Sequence, residues 1–262
     1  MIVDGKKLAD DIKTTLRLAL LAQGKNLRLD VILVGDNLVS QKYVKRKKKV
    51  GEEIGIEVIV HELMREITQI ELEEEIENLN NNERVNGIIV QLPLPPQIDQ
   101  EKILNLVSPD KDIDALSREA KVLSPTVGAI REILEKNKVS LAGKRVVVVG
   151  NGKLVGRPVS VWLTQEGVSV EVIDIDTKNP EEALLQADII VSGVGKPGLI
   201  TSDKIKEGVV LIDAGTAESG GQLKGDADPA CAEKCSLFTP VPGGVGSLTV
   251  VMLFKNLLEL SQ

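Results

Sequence analysis

The chain of 262 residues is poor in the residues that most often announce chemistry: it has one histidine, two cysteines and 2% aromatics. With His61 alone, a Ser-His-Asp hydrolase or a histidine-based zinc site is a poor reading, and proton transfer falls to Lys, Tyr, Asp or Glu. His61 follows the apolar run Ile56–Val60 and reads as a surface residue at a strand end. Cys231 and Cys235 have no further cysteine and no nearby histidine to complete a disulfide framework or a metal centre. Both read as plain thiols of a reducing compartment, and no metal is expected.

Excess positive charge is lacking too. The net charge of −7 argues against a general nucleic-acid or membrane-surface binder. No apolar span reaches membrane length, and Met1-Ile-Val-Asp-Gly-Lys-Lys7 has no apolar leader core, so a cytoplasmic protein is expected. Scarce aromatics leave Val, Ile, Leu and Ala to build the cores, which suits parallel sheets covered by helices.

Periodicity predicts helices over Lys6–Gln23, Val39–Ile54, Gln69–Asn80 and Gln100–Leu106, alternating with strands Leu29–Val34, Ile56–Val60 and Gly87–Gln91. The proline-rich turn Leu92-Pro-Leu-Pro-Pro96 follows the third strand. The pattern restarts with strands at Val146–Val149, Ser169–Ile173, Asp188–Val191 and Val209–Ile212. An amphipathic helix, Gly128–Lys136, lies between the two series, and an apolar helix, Ser247–Leu260, ends the chain. This order predicts an α/β protein of two α/β lobes with a ligand cleft between them.

The run Val146–Val149 empties into Gly150, Gly152 and Gly156 before a helix start. Such a turn wraps backbone N–H groups around a phosphate at a helix N-terminus, where the dipole favours an anion. The spacing is one residue longer than the common dinucleotide fingerprint, but a second strand ending in acid, Ser169–Asp174, follows as it does in a nucleotide-binding βαβ unit.

In the other lobe, Ser40, Tyr43, Val44 and Lys47 share one face of a helix that also carries Lys42, Lys45, Arg46, Lys48 and Lys49. Crowded cations disfavour protonation, so a partly buried Lys47 can serve as a base; the plainer reading is a solvated basic face. Gln91, an amide ending a buried strand before Pro93, stands where α/β ligands bind, and reads equally well as the cap of a turn. Asp112 and Asp114 lie in the loop leaving this lobe, which reads equally well as a solvated turn. Phe238–Thr249 sets two prolines and three glycines before the last helix, fixing the backbone and then allowing close approach to a ligand.

These blocks resemble the bifunctional methylenetetrahydrofolate dehydrogenase/methenyltetrahydrofolate cyclohydrolase (FolD) family over nearly the whole chain. The similarity runs through Val3-Asp-Gly-Lys6, Ile32-Leu-Val-Gly35, Ser40-Gln-Lys-Tyr-Val-Lys-Arg-Lys47 and Val90-Gln-Leu-Pro-Leu-Pro95. It continues in Lys111-Asp-Ile-Asp114, Val149-Gly-Asn-Gly-Lys-Leu-Val-Gly-Arg-Pro158, Asp213-Ala-Gly215, Gly225-Asp-Ala-Asp228 and Thr239-Pro-Val-Pro-Gly-Gly-Val-Gly246. The resemblance implies a folate-binding catalytic domain over 1–118 plus 243–262 and a Rossmann-type NAD(P)-binding domain over 119–242, with the C-terminal helix returning to the first lobe. It implies Lys47 as the catalytic lysine, Tyr43 stacked on folate, Gln91 supporting the lysine and Asp114 holding the pterin. Ser40, Leu92, Pro93, Pro242, Gly243 and Gly244 would line the folate.

For the dinucleotide, the resemblance implies Gly150, Asn151, Gly152, Lys153, Val155, Gly156, Arg157 and Pro158. Asp174, Asp176, Gly193, Gly195 and Gly215 complete that side. NADP is the expected cofactor, tetrahydrofolate the substrate scaffold and a homodimer the expected assembly. The chain departs from the family pattern at Asp114-Ala115, where Asp-Gly is common, at Ser247, where proline is usual, and at Asn151-Gly152, where NADP-using relatives often have Arg-Ser. With Asp174 and Asp176 ending the second strand, NAD stands as the alternative. Two rivals stay open from the residues alone: another two-domain NAD(P)-dependent dehydrogenase, such as a shikimate-dehydrogenase-like enzyme, and a non-catalytic RNA- or partner-binding protein using the basic helix.

Overall fold

The computed structural model describes the backbone of residues 1–262 and every side chain but that of Ser219. The chain divides into two units, Asp10–Pro125 with Val250–Gln262, and Met1–Ala9 with Thr126–Thr249. They are called here the first and second lobe.

The first lobe alternates helix and strand: α1 (Gly5–Gln23, in this lobe from Asp10), β1 (Arg28–Val34), α2 (Leu38–Ile54), β2 (Glu57–Leu63), α3 (Gln69–Asn81), β3 (Gly87–Val90) and α4 (Gln100–Leu106). The strands form a parallel sheet in the order β2-β1-β3, with Asp30 beside both Ile59 and Ile88. Because β1 lies between its two successors, the chain reverses direction across the sheet there. The carboxyl ends of β1 and β3 flank the crevice where open α/β sheets bind ligands. One sheet face, carrying Ile32, Val34, Ile88 and Val90, packs on Leu72, Ile76 and Leu79 of α3 and on Ile103 of α4. Local chemistry starts the helices: Asn37 caps α2 through the N–H groups of Val39 and Ser40, Thr68 and Glu71 form a reciprocal capping box on α3, and Asp99 caps α4.

β2 extends to Leu63, so His61 lies inside a strand and not at its surface end, which corrects the expectation drawn from composition. Its Nε2 lies 2.6 Å from a carboxylate oxygen of the fully buried Asp30, and its Nδ1 lies 3.0 Å from Glu75 on α3. Arg28 donates two further hydrogen bonds to the same aspartate. The histidine is thus held in the polar bracing of a buried carboxylate, because a charge shut away from water needs partners.

The second lobe continues with α5 (Pro125–Lys136), β4 (Val146–Val149), α6 (Gly156–Gln165), β5 (Val170–Ile173), α7 (Pro180–Gln186), β6 (Ile189–Ser192) and β7 (Val210–Asp213). A small hairpin of β8 (Ala217–Ser219) and β9 (Gln222–Lys224) follows, then β10 (Leu237–Phe238) and α8 (Val245–Leu260). The parallel sheet has the order β10-β7-β6-β4-β5, and the chain reverses across it between β4 and β6. All four residues of β4, β6 and β7 are buried, as their aliphatic runs require, with Ser192 and Asp213 closing β6 and β7. Trp162 of α6 is buried and donates its indole N–H to Glu166. Cys231 and Cys235 are buried free thiols, which burial pushes up to about 11 and about 12 respectively, so neither is a reactive thiolate at neutral pH.

From Val250 onward α8 belongs with the first lobe. There Asn256 donates to the carbonyls of Ile113 and Leu123, while Phe254 and Leu257 lie against Gly51 of α2 and Gly87 of β3. Two α/β lobes with a C-terminal helix returning to the first were expected from the sequence and are found.

Candidate active site

In the first lobe, helix α2 starts beside the carboxyl end of β1 and runs back along the sheet, with Ser40, Val44 and Lys47 on its buried face. Lys47 is only 6% exposed, and its Nζ donates a 2.9 Å hydrogen bond to Oε1 of Gln91, just beyond β3. The Gln91 amide is oriented from its other side: its Nε2 donates 2.9 Å to the Leu92 carbonyl, which also accepts from Ser40 Oγ. With the NH2 group committed to a carbonyl, the oxygen must face the lysine. The Leu92–Pro93 peptide in this turn is cis.

Burial pushes the Lys47 ammonium below its ordinary range, and the charge of Asp114 pulls the other way. The Asp114 carboxyl is pushed up, first by burial, with Lys47 opposing the shift and Asp112 adding to it. The loop carrying both aspartates is not the solvated turn that the residues alone allow. Asp112 is 3% exposed, pairs as a β-bridge with Ile88 and accepts from the N–H groups of Leu116 and Ser117. The turn it braces puts Ala115 at φ +52°, a left-handed conformation that favours glycine.

Around this centre the other first-lobe candidates are unevenly placed. Tyr43 is half exposed on α2, one helical turn before Lys47. Leu92 is half-buried and Pro93 exposed. The cations flanking Tyr43 at Lys42, Lys45, Arg46, Lys48 and Lys49 are all exposed, so on this helix Lys47 alone is withdrawn from water. The arrangement holds a buried amine of lowered pKa against an amide oxygen, which suits a base operating nearer neutral pH than a free lysine.

The second lobe holds the glycine turn. Gly150 stands at φ +90°, and a Cβ on Gly156 would fall 1.9 Å from the Gly150 carbonyl oxygen, so both positions demand glycine. Gly152 faces open space, as do the exposed Asn151, Lys153 and Arg157. Val155 precedes α6 without capping it by a side chain, and Pro158 lies in the first turn. Val155 packs so closely on Gly193 that a Cβ there would approach to 2.3 Å, which ties the glycine turn to the end of β6. At the end of β5, Asp174 accepts from the Asp176 N–H and the Thr177 hydroxyl, and both aspartates are exposed. Gly195 stands at φ +78° and Gly215 is buried. A helix start with no side-chain cap, an open backbone turn and a place at the reversal of the sheet together fit a dinucleotide diphosphate.

Pro242, Gly243 and Gly244 form the turn before α8, within the same lobe. Gly243 at φ +112° accepts at its carbonyl from the Gly5 N–H, and a Cβ on Gly244 would collide with Pro240 and Thr239. This pins the chain's first residues to the turn.

Two residues that lie in blocks of the family resemblance, with no role assigned to them there, stand out in the structure. Asp213 and Asp226 are both buried at the carboxyl end of this sheet and sit in a web of backbone donors. Their signal was a glycine within two positions of each acid, in Asp213-Ala-Gly215 and Gly225-Asp226. A groove of about 840 Å³ also exists, between Leu141–Val146 and Glu166–Glu171, but it opens at the amino ends of β4 and β5. That is the end of the sheet opposite to the glycine turn.

Comparison with known proteins agrees with this geometry. The family described as tetrahydrofolate dehydrogenase/cyclohydrolase, catalytic domain, matches residues 3–114, and its NAD(P)-binding domain matches 110–262. The chain is 44% identical to the bifunctional protein FolD of Staphylococcus aureus, over 98% of this chain and 95% of that one. Among solved structures, the bifunctional FolD enzyme of Campylobacter jejuni superposes with a TM-score of 0.95 at 38% identity, covering 100% of this chain and 98% of the other. The Trypanosoma brucei FolD, solved with NADP cofactor and inhibitor, superposes with a TM-score of 0.91 at 35% identity, covering 99% and 96%. On the fold, the two sites and these matches, the chain belongs to the tetrahydrofolate dehydrogenase/cyclohydrolase family.

Proposed function

We propose that this chain oxidises 5,10-methylenetetrahydrofolate to the methenyl form and hydrolyses that product to 10-formyltetrahydrofolate, with Lys47 as the group that manages the proton. The single observation that carries the reading is the buried lysine amine hydrogen-bonded to Gln91. The folate side is assigned to 1–118 with 243–262 and the dinucleotide side to 119–242.

Folate recognition falls to Tyr43, whose half-exposed ring offers a stacking surface, and to Ser40, Leu92 and Pro93 around Gln91. Asp114, raised by burial, can hold a pterin N–H as acceptor or a pterin nitrogen as donor, depending on its proton. Pro242, Gly243 and Gly244 are assigned to the same substrate. The dinucleotide is assigned to Gly150, Asn151, Gly152, Lys153, Val155, Gly156, Arg157 and Pro158, with Asp174, Asp176, Gly193, Gly195 and Gly215. A dinucleotide held there would supply the hydride acceptor for the methylene carbon, whose oxidation leaves a cationic methenyl group.

The cation raises the cost of a second positive charge nearby, which acts in the same direction as the burial that lowers the Lys47 pKa. Water adds to the methenyl carbon and its proton passes to the Lys47 amine. The hydroxyl of the adduct then gives up its proton as the carbon–oxygen double bond forms and the bond from that carbon to the pterin nitrogen breaks; that nitrogen takes up one proton, the formyl group stays on the other nitrogen, and the one proton left over leaves from Lys47 to solvent. Gln91 keeps the amine aimed through this sequence.

NADP is the assigned dinucleotide, supported by the T. brucei relative solved with that cofactor and by the exposed Lys153 and Arg157 at the turn. NAD is the second reading, favoured by the acids at the end of β5. A homodimer in the cytoplasm is the assembly and place that accompany this function. The experiment is a spectroscopic assay of methenyltetrahydrofolate formation and decay with each dinucleotide. Formation faster with NADP, followed by decay, is the expected result; no formation with either dinucleotide would refute the reading.

A further inference from the structure

The carboxylates of Asp213 and Asp226 are linked by more than proximity. Asp226 accepts from Ser192 Oγ at 2.6 Å and from the N–H groups of Val194 and Lys196 at 2.7 Å each. Asp213 accepts from the N–H groups of Gly215 at 2.9 Å and Ala227 at 2.8 Å. Its own N–H donates to Thr239 Oγ1 at 2.6 Å. The chain of bonds therefore runs from the end of β10 to the end of β7, on to 226–227, and back to the turn leaving β6.

Glycine is required where the two acids press on their neighbours. A Cβ on Gly215 would fall 2.2 Å from the Asp226 carboxyl carbon, and one on Gly225 would fall 2.1 Å from Asp213 Oδ2. The two glycines flank the β8–β9 hairpin, so both feet of the hairpin are seated against carboxylates. Among the described residues, the hydrogen-bond donors to this pair are backbone N–H groups and the Ser192 hydroxyl, with no ion pair. Two buried acids held this way are costly to a fold unless they fix something.

What they fix is the edge of the sheet beyond the reversal between β4 and β6. We propose that Asp213 and Asp226 are positioning residues for the dinucleotide, holding the turns after β6 and β7 in the shape that receives its nicotinamide half. This rests on the dinucleotide reading given above. The adenosine half falls on the other side of the reversal, toward β5, and none of the bonds named here reaches that strand. The Val194 turn held by Asp226 also touches the glycine turn, since a Cβ on Gly150 would meet Val194 Cγ2 at 2.9 Å. Burial pushes the Asp213 carboxyl up to about 6 against the pull of its backbone donors, and the neighbouring Asp226 charge adds to the rise.

The test compares Asp226→Asn and Asp213→Asn with the parent chain. An amide keeps the shape but turns an NH2 group toward an N–H donor, so one bond of each set is lost and a repulsive contact is made. Dissociation constants are measured for NADP, for NAD and for adenosine 2′,5′-bisphosphate, which carries the adenosine half alone. Hydrolysis of methenyltetrahydrofolate without dinucleotide reports that each variant is folded. The expected result is dinucleotide binding weakened about tenfold or more, with the adenosine fragment bound as in the parent and hydrolysis unchanged. Equal dinucleotide affinity in parent and variants would overturn the inference, and so would equal weakening of the fragment, which marks a merely structural role. Should neither variant fold, hydrogen exchange on the parent decides: the Val194 and Lys196 amides are expected to be protected before dinucleotide is added, and fast exchange there overturns the brace. If the parent itself binds no dinucleotide, the functional reading fails and not the brace.

Discussion

Lys47 Nζ reaches Gln91 Oε1 at 2.9 Å, joining a helix and a strand end that lie 44 positions apart in the sequence. Neither group has meaning alone. A lysine buried to this degree lacks its hydration, and an amide at a strand end lacks a partner until the two meet.

Replacing Lys47 by methionine is expected to cut hydrolysis of methenyltetrahydrofolate by about 10²- to 10⁴-fold while dinucleotide binding survives. The same change should stabilise the fold. The folded-state pKa of Lys47 lies below its unfolded value, so the unfolded chain binds the proton more tightly and the native state is penalised as pH falls through that window. Removing the group removes the penalty, and urea unfolding at neutral pH should show a gain of about 1 kcal/mol. Equal hydrolytic rates in the two proteins would defeat the assignment.

The pH profile of hydrolysis carries a second expectation. If the working form of Lys47 is the neutral amine, kcat rises with pH through the lysine's pKa. Asp114 pulls that pKa upward, so Asp114→Asn should move the rising limb to lower pH. The measurement is kcat at saturating folate, since loss of a pterin contact raises KM separately. A limb that stays in place, or moves to higher pH, counts against the coupling.

Ala115 adopts φ +52°, and an L side chain there costs about 1 kcal/mol or more. Ala115→Gly is expected to stabilise the chain by about 0.5–1 kcal/mol after the larger unfolded-state entropy of glycine is deducted. The gain should appear in the urea midpoint with an unchanged denaturant slope. A loss of stability would show that the methyl group earns more from packing than the backbone loses.

Asn256 satisfies the carbonyls of Ile113 and Leu123 on either side of the segment that carries Asp114. Asn256→Ala leaves two carbonyls without that donor and should cost about 2–3 kcal/mol, read by the same denaturation. Weaker folate binding is expected alongside, because the Asp114 turn loses an anchor. Unchanged stability would mean that water takes the place of the amide.

Much of this architecture could be read from the residues because aliphatic runs and helical periodicity follow from local packing. β4 coincides with the valine run Val146–Val149, and α4 with Gln100–Leu106. Reading stopped short where polar residues enter a strand. Glu62 and His61 hide the last part of β2, since a histidine looks like a surface residue until Asp30 and Glu75 are brought to it by the sheet and α3. β10 has two residues, too few for any periodicity, and exists because Val210 and Leu211 of β7 offer it a free edge. At the sites, a lysine of lowered pKa could be argued from its place on the helix face and a glycine turn from its spacing, but the cause is burial and not the crowded cations from which the sequence argues it. The Asp213–Asp226 web was not legible because, apart from the Ser192 hydroxyl, its donors are backbone groups, which no sequence distinguishes.

The scarcity of aromatics has a practical consequence. The one tryptophan, Trp162, belongs to the second lobe, on the helix that opens at the glycine turn, and the one tyrosine, Tyr43, belongs to the first. Each lobe therefore carries its own native fluorophore, with no labelling needed. Indole and phenol emission can be followed separately during denaturation, so the order in which the two lobes melt is open to direct optical measurement.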